Sequence, residues 1–102
     1  MLDAITKIEQ YTRNMSFDDF AGNSMATDAV VRNIEIIGEA SRHLDDTFRD
    51  QHPEIPWNKI AGIRNRIVHE YFGVDVSIIW FIVRKEIEPL KQQLQEILDR
   101  PA

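Results

Sequence analysis

The residues of this chain with the most chemical potential lie in one short run, which contains Arg64, Asn65, His69 and Tyr71. In a helix, Asn65 and His69 share a face because they are four residues apart. Arg64 and Tyr71, seven residues apart, lie two turns along a neighbouring stripe. The run therefore predicts one patch with a guanidinium, an amide, an imidazole and a phenol.

These groups are the ones needed to cleave RNA without a metal ion. An imidazole, with an ordinary pKa of about 6.5, can take a proton from a 2′-hydroxyl or return one to the leaving oxygen. A guanidinium can hold the non-bridging phosphate oxygens as negative charge builds on them. The spacing alone is a weak signal, because many helices carry an arginine and a histidine that only meet solvent.

The other two histidines are weaker candidates. His52 precedes a proline in a predicted loop, and we expect it to face solvent. His43 follows Glu39 by four residues, a spacing that could place both on a metal ion. No second Glu/His pair supplies the remaining ligands, so we predict no metal site and no cofactor.

Composition limits the class of protein. The 102 residues suffice for one domain, and 43% hydrophobic with 28% charged residues is typical of a globular protein. The chain has no cysteine, which excludes a disulfide scaffold and a cysteine zinc site. The N-terminal residues lack the basic and apolar regions of a signal peptide, and we expect a cytoplasmic protein.

Charge is distributed unevenly. The net charge of −5 argues against a protein that coats nucleic acid non-specifically, yet residues 57–85 hold five basic and two acidic side chains. A phosphate-bearing ligand would be drawn to this basic region, where Lys59 and Arg66 are candidate RNA contacts. Chance clustering of charge on a solvated surface remains the alternative.

Helical periodicity is strong and strand signals are weak, so we predict a single all-α domain over residues 1–102, an antiparallel bundle of four to five helices. The third helix carries an apolar stripe with steps of three and four residues, and Pro89 should bend the last helix near Lys85. The first predicted helix ends near Asn14, and the last begins after a cap at Asp75. The three helices between them run from Ser16 to Gly22, from Thr27 or Asp28 to Phe48, and from Trp57 to Tyr71.

The segment from Ile78 to Val83 is apolar on all sides. Its six residues are far fewer than the roughly 20 that span a bilayer, so we expect no membrane association. We predict that one face fills the core and the other forms a self-association surface, unless the curvature of the bundle hides both. A homodimer would also supply a second His69, and transesterification needs both a base and an acid.

The motif and its surroundings resemble the HEPN superfamily. Arg64-Asn65, three residues, His69, one residue and Tyr71 look like its Arg-polar-x-x-x-His motif, in the version with a tyrosine after the histidine. Blocks similar to those of HepT-like toxins cover nearly the whole chain in order, and the first helix starts later than is usual for that family. These blocks are residues 30–40, 53–57 and 71–75.

The resemblance implies a dimeric helical bundle in which two motifs face one cleft. It implies a metal-independent endoribonuclease, the toxin of a type VII-like toxin–antitoxin pair, with Arg64 and His69 catalytic and Asn65 as orienter. The partner would be a minimal nucleotidyltransferase antitoxin of the MntA type, which silences the toxin by AMPylation of Tyr71.

Two alternatives remain open at this point. The chain could be a non-catalytic HEPN partner subunit that binds nucleotide or a nucleotidyltransferase. It could also be a helical scaffold without chemistry, which a buried His69 bonded only to backbone would favour. A ribonuclease assay separates the first alternative from the enzyme.

Overall fold

The computed structural model describes residues 1–63, 65–67 and 76–99, and this part of the chain is helical without a strand. Its helices are α1 (Leu2–Thr12), α2 (Phe17–Ala21), α3 (Ser24–Arg42), α4 (Asp46–Gln51), α5 (Trp57–Ala61), α6 (Val76–Ile82) and α7 (Glu88–Asp99), with a π-helical turn (Val83–Ile87) joining α6 to α7. The all-α prediction is confirmed.

The first two helices end and begin close to the predicted places. After α1, Asn14 has a left-handed backbone (φ 61°), which asparagine tolerates well. Ser16 opens α2 with a reciprocal capping box, because its hydroxyl accepts from the Asp19 N–H and the Asp19 carboxylate accepts from the Ser16 N–H, both at 3.1 Å. The predicted cap at Ser16 is therefore correct.

The predicted boundaries of the third helix are wrong at both ends. α3 begins earlier because the side chain of Asn23 accepts from the Ala26 N–H at 3.0 Å, whereas Thr27 is buried and donates its hydroxyl to backbone oxygens of the preceding turn. α3 ends at Arg42, and Asp45 caps the separate helix α4. The apolar stripe predicted through Phe48 is thus divided between two helices.

The helix predicted from Trp57 onward is interrupted. α5 ends at Ala61, Gly62 forms a turn, and residues 63 and 65–67 are helical again. The predicted end at Tyr71 and the predicted cap at Asp75 lie outside the described residues. The non-helical break from His52 to Pro56 is confirmed.

The last helical segment changes type where a bend was predicted. Pro89 has no N–H to donate to the carbonyl of Lys85, so the regular α-helical bond is missing there. The chain forms the π-helical turn instead, and the Glu88 N–H donates to the Val83 carbonyl five residues back. Proline thus explains the irregularity.

The core lies around α3, whose Ile34 and Ile37 are fully buried. α3 packs against α1, α2 and α5, α2 also contacts α6, and α1 contacts α7. An ion pair between Glu9 and Lys91 at 2.7 Å joins α1 to α7. None of the helices in the described ranges combines the length and apolarity needed to cross a bilayer.

Candidate active site

The segment that carries the predicted motif starts at the turn of Gly62. The Gly62 N–H donates to the Asn58 carbonyl at 3.1 Å, and the Gly62 carbonyl accepts from the Asn65 N–H at 3.1 Å. A Cβ atom at this position would lie 3.3 Å from the Asn58 carbonyl oxygen, which is closer than ordinary van der Waals contact. The tight turn therefore favours glycine two residues before the first residue of the motif.

Two isoleucines fix the rotation of this segment. Ile63 and Ile67 are 0% and 1% exposed, and both belong to the core. Asn65, between them, is exposed. Asn65 is the one member of the predicted catalytic set that the structure describes. It thus lies on the solvent side of a segment that is anchored in the core.

The other predicted site residues are Arg64, His69 and Tyr71, and they lie outside the described residues. Their gathering with Asn65 on one patch stays a prediction, as do their roles.

A buried carboxylate organises the two candidate RNA contacts. Glu86, in the π-helical turn, has a side chain only 9% exposed. Its Oε1 accepts from Arg66 NH1 at 2.9 Å, and its Oε2 lies 2.9 Å from Arg66 NH2. Lys59 Nζ lies 3.6 Å from Oε1 of the same carboxylate. Glu86 therefore ties α5 and the segment carrying Asn65 to the last helical segment.

Sequence reasoning missed Glu86, although a signal was present. The series Ile79, Val83, Glu86, Leu90 has steps of four, three and four residues, so the carboxylate falls within the buried stripe of the helix. A charged group inside such a stripe needs a partner of opposite charge.

The basic region is less positive than the sequence window suggested. Extending the window from residue 85 to residue 88 adds two carboxylates and lowers its balance from +3 to +1. Arg84 is held by Glu88 at 2.9 Å, and its guanidinium carbon lies 4.4 Å from the centre of the Trp80 ring. Lys85 is exposed, without a hydrogen bond or ion pair in the described part of the chain.

The prediction that His52 faces solvent is wrong, whereas the prediction that His43 binds no metal ion is not tested. The His52 side chain is 13% exposed because its ring packs on Phe48, with 4.7 Å between ring centres. His43 Nε2 lies 2.8 Å from an oxygen of the exposed Glu39 carboxylate. No group of three or more potential metal ligands occurs among the described residues.

The apolar segment from Ile78 to Val83 is covered on more than one side. α2 covers part of its second face, because the Trp80 ring lies 5.1 Å from the ring of Phe20. Phe81 remains 51% exposed. The prediction of a dimer at this surface is not tested by a single chain.

Comparison with known proteins confirms the family resemblance. The chain matches the family described as "Ribonuclease HepT-like" over residues 1–97. It is 47% identical over 88 residues to "Putative RNase TTE0752" of Caldanaerobacter subterraneus subsp. tengcongensis, covering 86% of this chain and 79% of that relative. It is 42% identical over 95 residues to "Probable ribonuclease HepT" of Thermococcus cleftensis, covering 93% and 86%. No solved structure matches the chain. This protein therefore belongs to the HepT-like ribonuclease family.

Proposed function

We propose that this protein is a metal-independent endoribonuclease in which Arg64 and His69 are catalytic and Asn65 orients the reacting groups. The observation that carries the proposal is the family match over residues 1–97 in a chain that contains the Arg64-Asn65-x-x-x-His69 motif. The exposure of Asn65 supports it, since an amide that orients RNA has to be reached by RNA.

The reaction is a transesterification. One imidazole takes the proton from a 2′-hydroxyl, the 2′-oxygen forms a bond to phosphorus, and the bond from phosphorus to the 5′-oxygen breaks. A proton from a protonated imidazole neutralises the leaving 5′-oxygen. Arg64 stabilises the phosphate oxygens while the charge on them is greatest. The products are a 2′,3′-cyclic phosphate and a 5′-hydroxyl.

Two proton-transfer groups are needed, and the motif has one histidine. We propose a homodimer in which two copies of the motif share one cleft, so that one His69 acts as base and the other as acid. The exposed ring of Phe81 supports an apolar contact surface on the last helical segment. Sedimentation at micromolar concentration should give twice the chain mass of 11.9 kDa, and a monomer would contradict the shared cleft.

The proposal extends to regulation. In this proposal the ribonuclease is the toxin of a toxin–antitoxin pair, and an MntA-like nucleotidyltransferase silences it by attaching AMP to Tyr71. The added phosphodiester would bring negative charge to the motif and compete with RNA for Arg64.

The cleavage mechanism is tested with a matched pair of histidine variants. His69→Ala should lower the rate of RNA cleavage by about 10²–10⁴-fold, the range expected for loss of a general acid or base. His43→Ala should cut at the wild-type rate, because His43 is exposed and paired with Glu39. EDTA should leave cleavage unchanged. A wild-type rate for His69→Ala would contradict the mechanism, and absence of cleavage by the wild-type dimer would favour a non-catalytic partner subunit.

Silencing is tested by peptide mapping. Incubation with ATP and the cognate nucleotidyltransferase should add one or more AMP units to Tyr71 and stop cleavage. Tyr71→Phe should cut RNA and resist silencing. AMP on Tyr11 with Tyr71 unmodified would contradict this part of the proposal.

A further inference from the structure

A small cavity lies between α5 and the last helical segment. Its volume is about 220 Å³. Two lysines contribute to its wall, Lys59 from α5 and Lys85 from the π-helical turn. The remaining lining residues are Pro56, Ile60, Glu86, Pro89, Leu90 and Gln93.

The size of this cavity decides what it can hold. Pockets that enclose a whole small molecule measure roughly 300–1,000 Å³, so about 220 Å³ suits one chemical group of a larger ligand. Ile60 and Leu90 in the wall are buried and apolar, and two lysines are among the lining residues. A group that carries negative charge on a polymer fits this description.

The charges favour an anion although a carboxylate also lines the cavity. Glu86 Oε1 accepts a hydrogen bond from Arg66, and Oε2 lies 2.9 Å from Arg66 NH2 without a hydrogen bond, so this ion pair offsets part of the charge of Glu86 before any ligand arrives. Lys59 is 57% exposed and lies 3.6 Å from Glu86, which leaves ammonium protons free for a second acceptor. Lys85 is exposed, with no partner among the described residues.

The cavity is connected to the motif segment through Glu86. This side chain lines the cavity and also pairs with Arg66, the residue after Asn65. The cavity therefore adjoins the segment that carries the exposed Asn65.

We propose that this cavity is a subsite for one backbone phosphate of the RNA, held between Lys59 and Lys85 and separate from the phosphate that is cleaved. The inference rests on the proposed ribonuclease function. Glu86 acts as a positioning residue, because it holds Lys59 and Arg66 toward the strand.

The experiment measures how salt changes RNA binding. Binding of a single-stranded RNA oligonucleotide is measured from 50 to 200 mM salt, with His69→Ala present in every protein to prevent cleavage. The test variant adds Lys59→Gln and Lys85→Gln. The control adds Lys7→Gln and Lys91→Gln, which also remove one ion-paired lysine and one lysine without a described partner, away from the cavity.

Loss of one phosphate contact should make the slope of log affinity against log salt less negative by about 0.7. This change in slope makes the affinity ratio of parent to variant about 2.6 times larger at 50 mM than at 200 mM salt. The control should keep the slope of the parent. Equal slopes in the test and control variants would overturn the subsite.

Failure of the subsite is distinguishable from failure of the proposed function. The protein with native His69 is assayed for cleavage of the same oligonucleotide. Cleavage together with equal slopes would contradict the proposed subsite and leave the proposed ribonuclease function standing. Absence of cleavage would overturn the ribonuclease and, with it, the substrate assigned to the cavity.

Discussion

The two long helical segments of this protein carry similar apolar stripes but differ in regularity. α3 is an uninterrupted α-helix of 19 residues, capped by Asn23 and buried along most of its length. The segment from residue 76 to residue 99 contains a π-helical turn before Pro89. That irregular turn carries Glu86, whose carboxylate pairs with Lys59 of α5 and with Arg66 of the segment that carries the motif.

We expect the two segments to contribute differently, the regular helix to stability and the irregular segment to the candidate site. The regular helix contacts its neighbours through aliphatic side chains, so it stabilises the fold by packing. The irregular segment brings a charged side chain inward, and π-helical turns are frequent at functional sites. Variants in the two segments should therefore affect different properties.

The largest effect should come from the framework. Ile34→Ala in α3 removes a fully buried side chain and should lower the free energy of unfolding by about 2–5 kcal/mol. Chemical denaturation followed by circular dichroism measures this loss. Ile36→Ala is the matched control, because Ile36 on the same helix is 43% exposed and should cost far less. Equal losses for the two variants would contradict the burial pattern.

A smaller loss is expected from the irregular segment. Glu86→Gln keeps the shape of the side chain and removes its charge, and it should lower the free energy of unfolding by about 1–2 kcal/mol, since Arg66 is 36% exposed and solvent weakens the pair. Glu9→Gln, at the more exposed pair with Lys91, should cost about 0.2–1 kcal/mol. Denaturation with urea compares them. A larger loss for Glu9→Gln would mean that Glu86 is not the organising residue.

The smallest of the three changes is at the start of the regular helix. Asn23→Ala removes the side chain that accepts from the Ala26 N–H, and should cost about 1 kcal/mol. Asn23→Asp preserves the acceptor and should retain most of the stability. Thermal unfolding of both variants measures the difference. Equal destabilisation by alanine and aspartate would show that the cap is not the cause.

Much of the fold could be predicted because it depends on periodicity. The stripe through Ile34 and Ile37 and the capping box at Ser16 are local patterns, and both appear in the structure. The division between α3 and α4 was missed, since Leu44 in the connection and Phe48 on α4 continue the same spacing. Spacing alone does not distinguish a helix from two helices in series.

The electrostatics of the candidate site could not be predicted from the sequence, and its predicted residues stay predictions. Asn65 is exposed as a substrate-facing amide has to be, while the convergence of the other motif residues stays a prediction. The partnership of Glu86 with Lys59 and Arg66 joins residues 20 or more positions apart, which no local pattern reveals. His52 was misplaced for a different reason, because its ring packs on Phe48 four residues earlier although the chain between Gln51 and Trp57 is not helical.

The contact between α1 and α7 has a consequence for synthesis of the chain. Glu9 and Lys91 are 82 positions apart, and Ile5, Ile8, Val83 and Ile87 line one cavity beside Glu9. α3 packs against α1 and can cover part of its apolar side early, but the part beside Val83 and Ile87 stays uncovered while the ribosome makes most of the intervening residues. The native core can close only after the last helical segment has emerged from the ribosome. A nascent chain interrupted before that point would therefore expose an apolar surface to chaperones and proteases.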